Sequence, residues 1–311
     1  MKVLFFSDPG IDDSLAIIYA LLHPDIELVG IVTSYGNVSK EQATQNARYL
    51  VQLAGMENDV RIIEGARGPF TGEIATYYPE IHGPKGLGPI QPPEDISTEA
   101  EPFTVIFDLV NEYGDELVVL DTGRLTALAM AFLIDIDTMN QARAFHIMGG
   151  AFLVPGNISP VAEANFYSDP LAANIVTNQA QNLFVVPLNV TNYALVTSEM
   201  IDTIDFYAEN PFGELIKPVA DFYINAYADL VPHLNGALLH DVLTVSSVVN
   251  PHILRYIEKN VDLQINGVAR GLSVADFRPT AQLNEEENIV KLAIHINYPL
   301  FMNDFMQIMC N

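Results

Sequence analysis

The sequence predicts an α/β fold with an open, mostly parallel central sheet and helices on both faces, because three features of the chain agree. Short apolar runs alternate with segments of helical periodicity. The runs are apolar throughout, which is typical of strands that are buried on both faces. Half of the 311 residues are hydrophobic, enough for one large domain or two smaller ones. Since no linker is recognisable, we expect a single domain, residues 1–311, with a more helical part from about Ser198 onward.

The predicted elements follow one another as parallel strands joined by crossover helices require. Continuous apolar runs predict strands at Val3–Phe6, Glu27–Thr33, Glu116–Leu120, Arg143–Met148 and Leu183–Val190. Helical patterns cover Asp12–Leu22, Lys40–Ala54 and Leu125–Leu133. Gly55 ends the second of these helices. The Pro- and Gly-rich segment Gly83–Pro93 is interpreted as a long mobile loop over the sheet.

Polar or glycine-rich turns follow four of the predicted strands. They are Asp8–Asp13, Thr33–Asn37, Asp121–Arg124 and the segment at Gly149. In open α/β sheets, ligands bind beyond the carboxyl ends of the strands. The four turns therefore predict one ligand site at a single edge of the sheet.

Three carboxylates crowd the first of these turns, in FFSDPGIDDSLAI (residues 5–17). Asp8, Asp12 and Asp13 repel one another and are costly to bury unless a positive charge lies among them. Two interpretations stay open: a solvated turn that also caps a helix, and a site for a hard cation such as Ca²⁺. The spacing does not match an EF-hand loop. It does not match the D-x-D of aspartyl-phosphate phosphatases either, because Phe6 fills the place of the nucleophile.

The strongly acidic composition narrows the range of partners. The formal net charge is −25, and no Lys or Arg occurs between Arg143 and Lys217. Such a chain repels phosphate backbones, so we expect no nucleic-acid partner. A neutral small substrate and divalent cations remain compatible with it. General solubility or a salty habitat explains the bulk charge equally well.

Other classes are disfavoured by what the composition lacks. Cys310 is the only cysteine, so we expect neither an intramolecular disulfide nor a thiolate metal cluster. No apolar stretch is long enough to cross a membrane. The sequence MKVLFFSDPG becomes acidic too early for a signal peptide. These features predict a cytoplasmic protein with no membrane partner.

Six segments, in this order along the chain, resemble the motifs of the inosine-uridine-preferring nucleoside hydrolase family. They are SDPGIDDSLAI (7–17), VTSYGNVSKEQATQNARYLVQLAG (32–55), IHGPKGLGP (81–89), DTGRLTALAMA (121–131), MGGAFLVPGNISPVAEANFYSDPLAANIV (148–176) and LLHDVLTV (238–245). A single motif would be weak, but six in order are specific. The resemblance implies a Rossmann-like nucleoside hydrolase domain that hydrolyses the N-glycosidic bond of ribonucleosides. It also implies a tightly held Ca²⁺ and a homotetramer or homodimer.

The resemblance implies roles for individual residues. Asp8 corresponds to a metal ligand that is also the base activating the attacking water. Asp13 and Asp241 correspond to further metal ligands, and Thr122 to one that offers its backbone carbonyl. His240 corresponds to a proton donor near the nucleobase.

Residues that bind the substrate are implied in the same way. The ribose would be held by Asp12, Asn37, Asn157, Glu163 and Asn165, with Met148 packing nearby, while His82 lies on the loop. Apart from the resemblance, Tyr227 is a candidate contact with the base. The residues alone leave simpler alternatives open. Asn157 fits a turn, Glu163 a surface acid, His240-Asp241 a helix N-cap, His82 an ordinary loop histidine, and Tyr223 and Tyr227 core aromatics.

The chain departs from the family pattern at a few positions. Phe6 replaces the first Asp of D-x-D, Val242 follows His240-Asp241 where proline is usual, and Arg124 and Ala127 are unusual in their motif. The chain also has no tryptophan, whereas the purine-specific branch stacks the base between tryptophans. His240 resembles the branch that accepts both inosine and uridine.

Two alternative functions stay open: a ribose or nucleoside binder without turnover, and a hydrolase of another ribosyl compound, such as a modified nucleoside or nicotinamide riboside.

Overall fold

A mixed eight-stranded sheet forms the centre of the computed structural model, which describes residues 1–311. Its strands are β1 (Lys2–Ser7), β2 (Glu27–Thr33), β3 (Arg61–Glu64), β4 (Leu117–Asp121), β5 (Ala144–Met148), β6 (Leu183–Val186), β9 (Leu254–Lys259) and β12 (Val290–Ile296). They lie in the order β3-β2-β1-β4-β5-β6-β12-β9. All neighbours pair in parallel except β9, which is antiparallel to β12. The predicted open, mostly parallel sheet is therefore confirmed.

Two short antiparallel pairs and thirteen helices complete the fold. The pairs are β7 (Leu195–Val196) with β8 (Ala237–Leu238), and β10 (Asp262–Leu263) with β11 (Ser273–Val274). The helices are α1 (Ile11–Leu22), α2 (Lys40–Leu53), α3 (Pro79–His82), α4 (Val105–Tyr113), α5 (Thr126–Ile134), α6 (Ile136–Met139), α7 (Ala164–Ser168), α8 (Pro170–Gln179), α9 (Leu188–Thr191), α10 (Ser198–Tyr207), α11 (Gly213–Leu230), α12 (His240–Val249) and α13 (Tyr298–Cys310). None of them is long and apolar enough to cross a membrane.

The core consists of two large apolar clusters, one on each face of the sheet. Successive side chains of a strand point to opposite faces, so β1 contributes to both. Val3 and Phe5 join the cluster that contains α1, α12 and α13, whereas Leu4 and Phe6 join the cluster that contains α5 and α8. Helices therefore cover both faces, as the continuous apolar strands predict.

The strand predicted at Leu183–Val190 is too long. Pairing ends at Val186, and the next residues form the single turn of α9. Pro187 explains the break, because it has no N–H to donate to a neighbouring strand.

The C-terminal part contains α10 to α13, as predicted, but it also supplies β9 and β12, which the sequence did not predict. Neither is a continuous apolar run. Arg255, Glu258 and Lys259 place charges along β9, which forms an exposed edge of the sheet. Charged residues are typical of edge strands, and they interrupt the apolar run by which a strand is recognised in a sequence.

The segment Gly83–Pro93 is a loop, as predicted, and its first half packs closely against the body of the protein. Leu87 is fully buried, and the Gly88 N–H donates to the His82 carbonyl at 2.8 Å. The Asn46 side chain donates to the Lys85 carbonyl at 2.8 Å. Its predicted mobility stays a prediction.

The strand order places the predicted ligand turns side by side. β1, β4 and β5 are adjacent, so their carboxyl ends at Ser7, Asp121 and Met148 meet near the middle of one sheet edge. The Thr122 N–H donates to the Phe6 carbonyl at 3.1 Å and ties two of these ends together. α1 and α12 both begin at this edge and pack against each other.

Candidate active site

Asp8 follows β1 directly and is fully buried. Its Oδ2 accepts a hydrogen bond from the Asn37 N–H at 2.6 Å, whereas its Oδ1 has no hydrogen-bond partner. A Cβ on Gly36 would lie 1.9 Å from Oδ2, and one on Gly123 would lie 2.8 Å from Oδ1. Two glycines therefore let the chain close around this carboxylate. Burial raises the pKa of Asp8 well above its usual value, and Asp13 adds to the rise.

Asp13, in the first turn of α1, is held by hydroxyl and amide donors. Its Oδ1 accepts from Ser7 Oγ at 2.8 Å and from Thr122 Oγ1 at 2.9 Å. Its Oδ2 accepts from Asn37 Nδ2 at 2.8 Å. These bonds link the ends of β1 and β4 to α1, so the orientation of Asp13 is fixed by three separate chain segments.

Asp12 and Asp241 meet where α1 and α12 begin. Asp12 Oδ2 accepts a hydrogen bond from the Asp241 N–H at 3.1 Å, while its Oδ1 is buried without a partner. Burial raises the pKa of Asp12. Burial also raises the pKa of Asp241, and the neighbouring carboxylates raise it further. The site thus concentrates negative charge away from water, which is costly unless a cation compensates it.

Glu163 and Asn165 come from the start of α7 and reach the same region. Both Glu163 oxygens accept backbone N–H bonds, from Asn165 at 2.7 Å and from Gly150 at 3.0 Å. Asn165 Nδ2 donates to the Thr122 carbonyl at 2.8 Å and to the Met148 carbonyl at 3.1 Å. Glu163 is 1% exposed and is therefore not a surface acid.

Asn157 does not join this buried group. It is exposed, and its Oδ1 accepts a hydrogen bond from the Ala164 N–H at 2.9 Å. It stabilises the entry into α7. This contact is the turn chemistry that its sequence context also allows, and a contact between Asn157 and the ribose stays a prediction.

Arg124 is a member of the site to which the sequence assigned no role. It is 5% exposed, and its guanidinium donates to the Oδ1 atoms of Asn165 and, at 3.1 Å, of Asn37. Its Nη2 lies 3.8 Å from Asp8 Oδ2. No other Lys or Arg forms an ion pair with the carboxylates of the site. The available signal was its position in the turn Asp121–Arg124, at the carboxyl end of β4.

Histidine and tyrosine side chains form the other end of the site. His240 Nε2 lies 3.0 Å from the Tyr227 hydroxyl, and its Nδ1 lies 2.8 Å from Thr191 Oγ1. The Tyr227 ring meets the Tyr223 ring edge to face, with centroids 5.0 Å apart. Burial lowers the pKa of His240 to about 4, so the imidazole is neutral at pH 7.

His82, at the end of α3, is buried beside the same aromatic group. Its Nδ1 accepts a hydrogen bond from the Ile11 N–H at 3.0 Å, which places the ring proton on Nε2. The ring stacks on Tyr223 with centroids 5.9 Å apart. Burial lowers the pKa of His82 to about 4. His82 is therefore the last residue of a helix and not part of the loop as expected, and it connects the start of α1 to α11.

The donor set fits a hard divalent cation. No three acidic or histidine side chains surround a common point in this structure, and Asp12 and Asp13 form hydrogen bonds with protein donors. The donors available are nevertheless carboxylate and carbonyl oxygens, which Ca²⁺ and Mg²⁺ prefer. Asp8 Oδ1, fully buried and without a hydrogen bond, is the clearest sign of fit, since such an atom needs a positive partner.

A mostly parallel sheet with buried carboxylates, amides and a neutral histidine at the carboxyl ends of its strands defines an α/β enzyme with a polar small-molecule site. The family model described as inosine-uridine preferring nucleoside hydrolase matches residues 3–303. The chain therefore belongs to this family, and it is a nucleoside hydrolase that cleaves the N-glycosidic bond of ribonucleosides.

The chain is similar to individual members of this family over most of their length. Uridine nucleosidase 1 of Arabidopsis thaliana is 33% identical over 278 residues, which are 88% of this chain and 82% of that protein. The inosine-uridine preferring nucleoside hydrolase of Leishmania major is 33% identical over 282 residues, 89% of this chain and 88% of that protein. Among solved structures, a purine-preferring ribonucleoside hydrolase from Gardnerella vaginalis has a TM-score of 0.90 and 31% identity, with coverage of 100% of this chain and 98% of that one.

Proposed function

We propose that Asp8 activates the attacking water in a Ca²⁺-dependent hydrolysis of ribonucleosides, with inosine and uridine as the first substrates to test. The observation that carries the proposal is the buried Asp8 carboxylate, closed in by two glycines and left with one oxygen unpaired. A carboxylate in that state can hold a cation with one oxygen and accept a proton.

The proposed ligands of the cation are Asp8, Asp13, Asp241 and the Thr122 carbonyl. A divalent cation bound by these oxygens supplies positive charge that eases the deprotonation of a nearby water. Asp8 accepts that proton. The hydroxyl bonds from Ser7 and Thr122 hold Asp13 in position while this happens.

The sugar end of the proposed pocket consists of Asp12, Asn37, Met148, Glu163 and Asn165, with Asn157 supporting α7 from the surface. Cleavage passes through a cationic, oxocarbenium-like sugar, which fixed carboxylates and amide oxygens favour over the neutral substrate. Asn165 uses Nδ2 for two carbonyls, so it offers a substrate only its oxygen. Both Glu163 oxygens accept backbone N–H bonds, so Glu163 acts through its negative charge and by stabilising the start of α7.

The leaving base meets the histidine end of the pocket. His240 is neutral at pH 7, since burial lowers its pKa to about 4, and it shares a hydrogen bond with the Tyr227 hydroxyl. We propose that this pair passes a proton to the leaving base, and that the proton which Asp8 takes from the attacking water restores the pair after cleavage. His82, also neutral, lies beside Tyr223 and lines the same end.

The wider setting of the enzyme belongs to the same proposal. We propose one domain over residues 1–311, because β12 and β9 from the C-terminal part complete the same sheet. We also propose a cytoplasmic homotetramer or homodimer in the salvage and catabolism of purine and pyrimidine ribonucleosides. Light scattering on a size-exclusion column measures the oligomeric state.

The ribose assignment is tested by comparing uridine and inosine with their 2′-deoxy analogues. A pocket that holds the sugar hydroxyls with buried polar groups rejects an analogue that lacks one, because those groups are left unpaired. We expect kcat/KM for the 2′-deoxynucleosides to be lower by at least about 100-fold. Equal rates on both sugars would contradict the assignment of the pocket.

A further inference from the structure

Arg124 places a permanent positive charge inside the acidic site. We propose that this guanidinium is a built-in counter-charge, which stabilises the carboxylates in the absence of a divalent cation and weakens the binding of that cation. The inference rests on the cation site proposed above and concerns how tightly this chain holds the ion.

The contacts of Arg124 reach three of the four proposed cation ligands. Its Nη2 lies 3.8 Å from Asp8 Oδ2, which is a direct ion pair. The same nitrogen donates to Asn37 Oδ1, and Asn37 Nδ2 in turn donates to Asp13. The guanidinium also donates to Asn165 Oδ1, and Asn165 Nδ2 donates to the Thr122 carbonyl. The Arg124 guanidinium is thus connected directly to Asp8, and through an asparagine to Asp13 and to Thr122.

Charge explains why this arrangement opposes a metal ion. A guanidinium stays protonated at any ordinary pH, so it repels a dication held by the same Asp8 carboxylate. The side chain is almost completely buried, where water screens such repulsion poorly. Without the dication, the same guanidinium compensates part of the buried negative charge. Both effects lower the free energy gained when the cation binds.

A role in binding an anionic substrate is disfavoured by the same contacts. Both terminal nitrogens of Arg124 already donate to asparagine oxygens. Asp8, Asp12, Asp13, Asp241 and Glu163 surround the site and would repel an added negative charge. The guanidinium is therefore better explained as the internal partner of the carboxylates.

The experiment is calorimetric titration of chelator-treated protein with Ca²⁺. Arg124→Gln removes the charge but keeps a side chain that donates hydrogen bonds, and we expect it to bind Ca²⁺ at least about tenfold more tightly than the wild type. Arg124→Lys keeps the charge and is expected to bind Ca²⁺ with nearly wild-type affinity. Arg61→Gln is the matched control and is expected to leave the affinity unchanged. Arg61 pairs with Glu101 at the start of β3, which is the end of that strand away from the site.

Each result decides between the interpretations. Weaker or equal binding by Arg124→Gln overturns the inference and assigns Arg124 a purely positioning role through Asn37 and Asn165. Binding of no Ca²⁺ by the wild type overturns the proposed cation site as well, which separates the two failures. If chelator-treated Arg124→Gln does not stay folded, the variant is purified with Ca²⁺ and excess chelator is added. Slower release of the ion than from the wild type supports the inference, and faster release overturns it.

Discussion

The Asp8 carboxylate depends on the glycines that surround it. Gly36 and Gly123 approach so closely that a methyl group on either would collide with the Asp8 side chain. Neither glycine has the left-handed backbone that would by itself require glycine. The requirement is therefore space around one functional side chain, and it predicts a large loss of activity from a very small substitution.

Gly36→Ala is expected to lower kcat/KM by about 100-fold, because the Asp8 carboxylate must move away from the added Cβ and a displacement of this size misplaces the base. The folded structure has to change only locally. Steady-state kinetics on uridine or inosine measure the loss, and circular dichroism checks the fold.

Gly68→Ala is the matched control, since a Cβ at Gly68 has no neighbour within 4 Å. It should leave the kinetics unchanged. Full activity in Gly36→Ala would mean that the position of Asp8 is not critical, contrary to its role as the base.

Among the elements, β5 carries a buried histidine that the active site does not use. His146 lies on β5, and its ring stacks on Phe184 of β6 with centroids 4.4 Å apart and the planes within 4° of parallel. Its Nδ1 is buried without a hydrogen-bond partner. Burial, with repulsion from Lys291, lowers the pKa of His146 from 6.5 to about 3. The sheet therefore accepts this side chain only in its neutral form.

This histidine predicts a loss of stability in acid. Below about pH 6.5 the unfolded chain binds a proton at His146 that the folded protein does not bind. The contribution of His146 to the free energy of unfolding should therefore be fully present above that pH. It should fall as the pH decreases toward about 3, by up to about 1.4 kcal/mol per pH unit.

Urea unfolding between about pH 5 and 7 measures this contribution as the difference in slope between the wild type and His146→Leu. The variant should lose less stability as the pH falls. The same substitution at His233, which is exposed, serves as the control. Identical slopes for the wild type and His146→Leu would contradict the account.

For the whole molecule, the site exists because distant parts of the chain meet at one sheet edge. Asp12 and Asp241 are 229 residues apart in sequence, yet the carboxylate of one accepts the N–H of the other. Asp241 reaches this edge because α12 packs against α1. The C-terminal part also supplies β12, which extends the sheet beyond β6. The C-terminal part is therefore necessary for a complete site.

Much of this architecture could be predicted from the sequence, since buried parallel strands leave continuous apolar runs such as Val3–Phe6 and Glu27–Thr33. β9 and β12 could not, because β9 is an edge strand that carries charges and Lys291 and His295 interrupt the apolar run of β12. The acidic turn left a capped turn and a cation site open, and the structure adds the contacts that bury and fix Asp8 and Asp13. The contacts of Arg124 were not predictable, because they join segments that are far apart in sequence, whereas the turn at Asn157 was one of the interpretations that the sequence left open.

The central claim is that Asp8 is the base of a cation-dependent ribonucleoside hydrolase. The most direct measurement is base release from uridine and inosine by chelator-treated protein, before and after Ca²⁺ is restored, beside Asp8→Asn and the surface control Asp25→Asn. We predict that the wild type and Asp25→Asn release base only with Ca²⁺, and that Asp8→Asn is slower by about 10³-fold or more. Base release by Asp8→Asn at the wild-type rate, or by the wild type without any divalent cation, would contradict the claim.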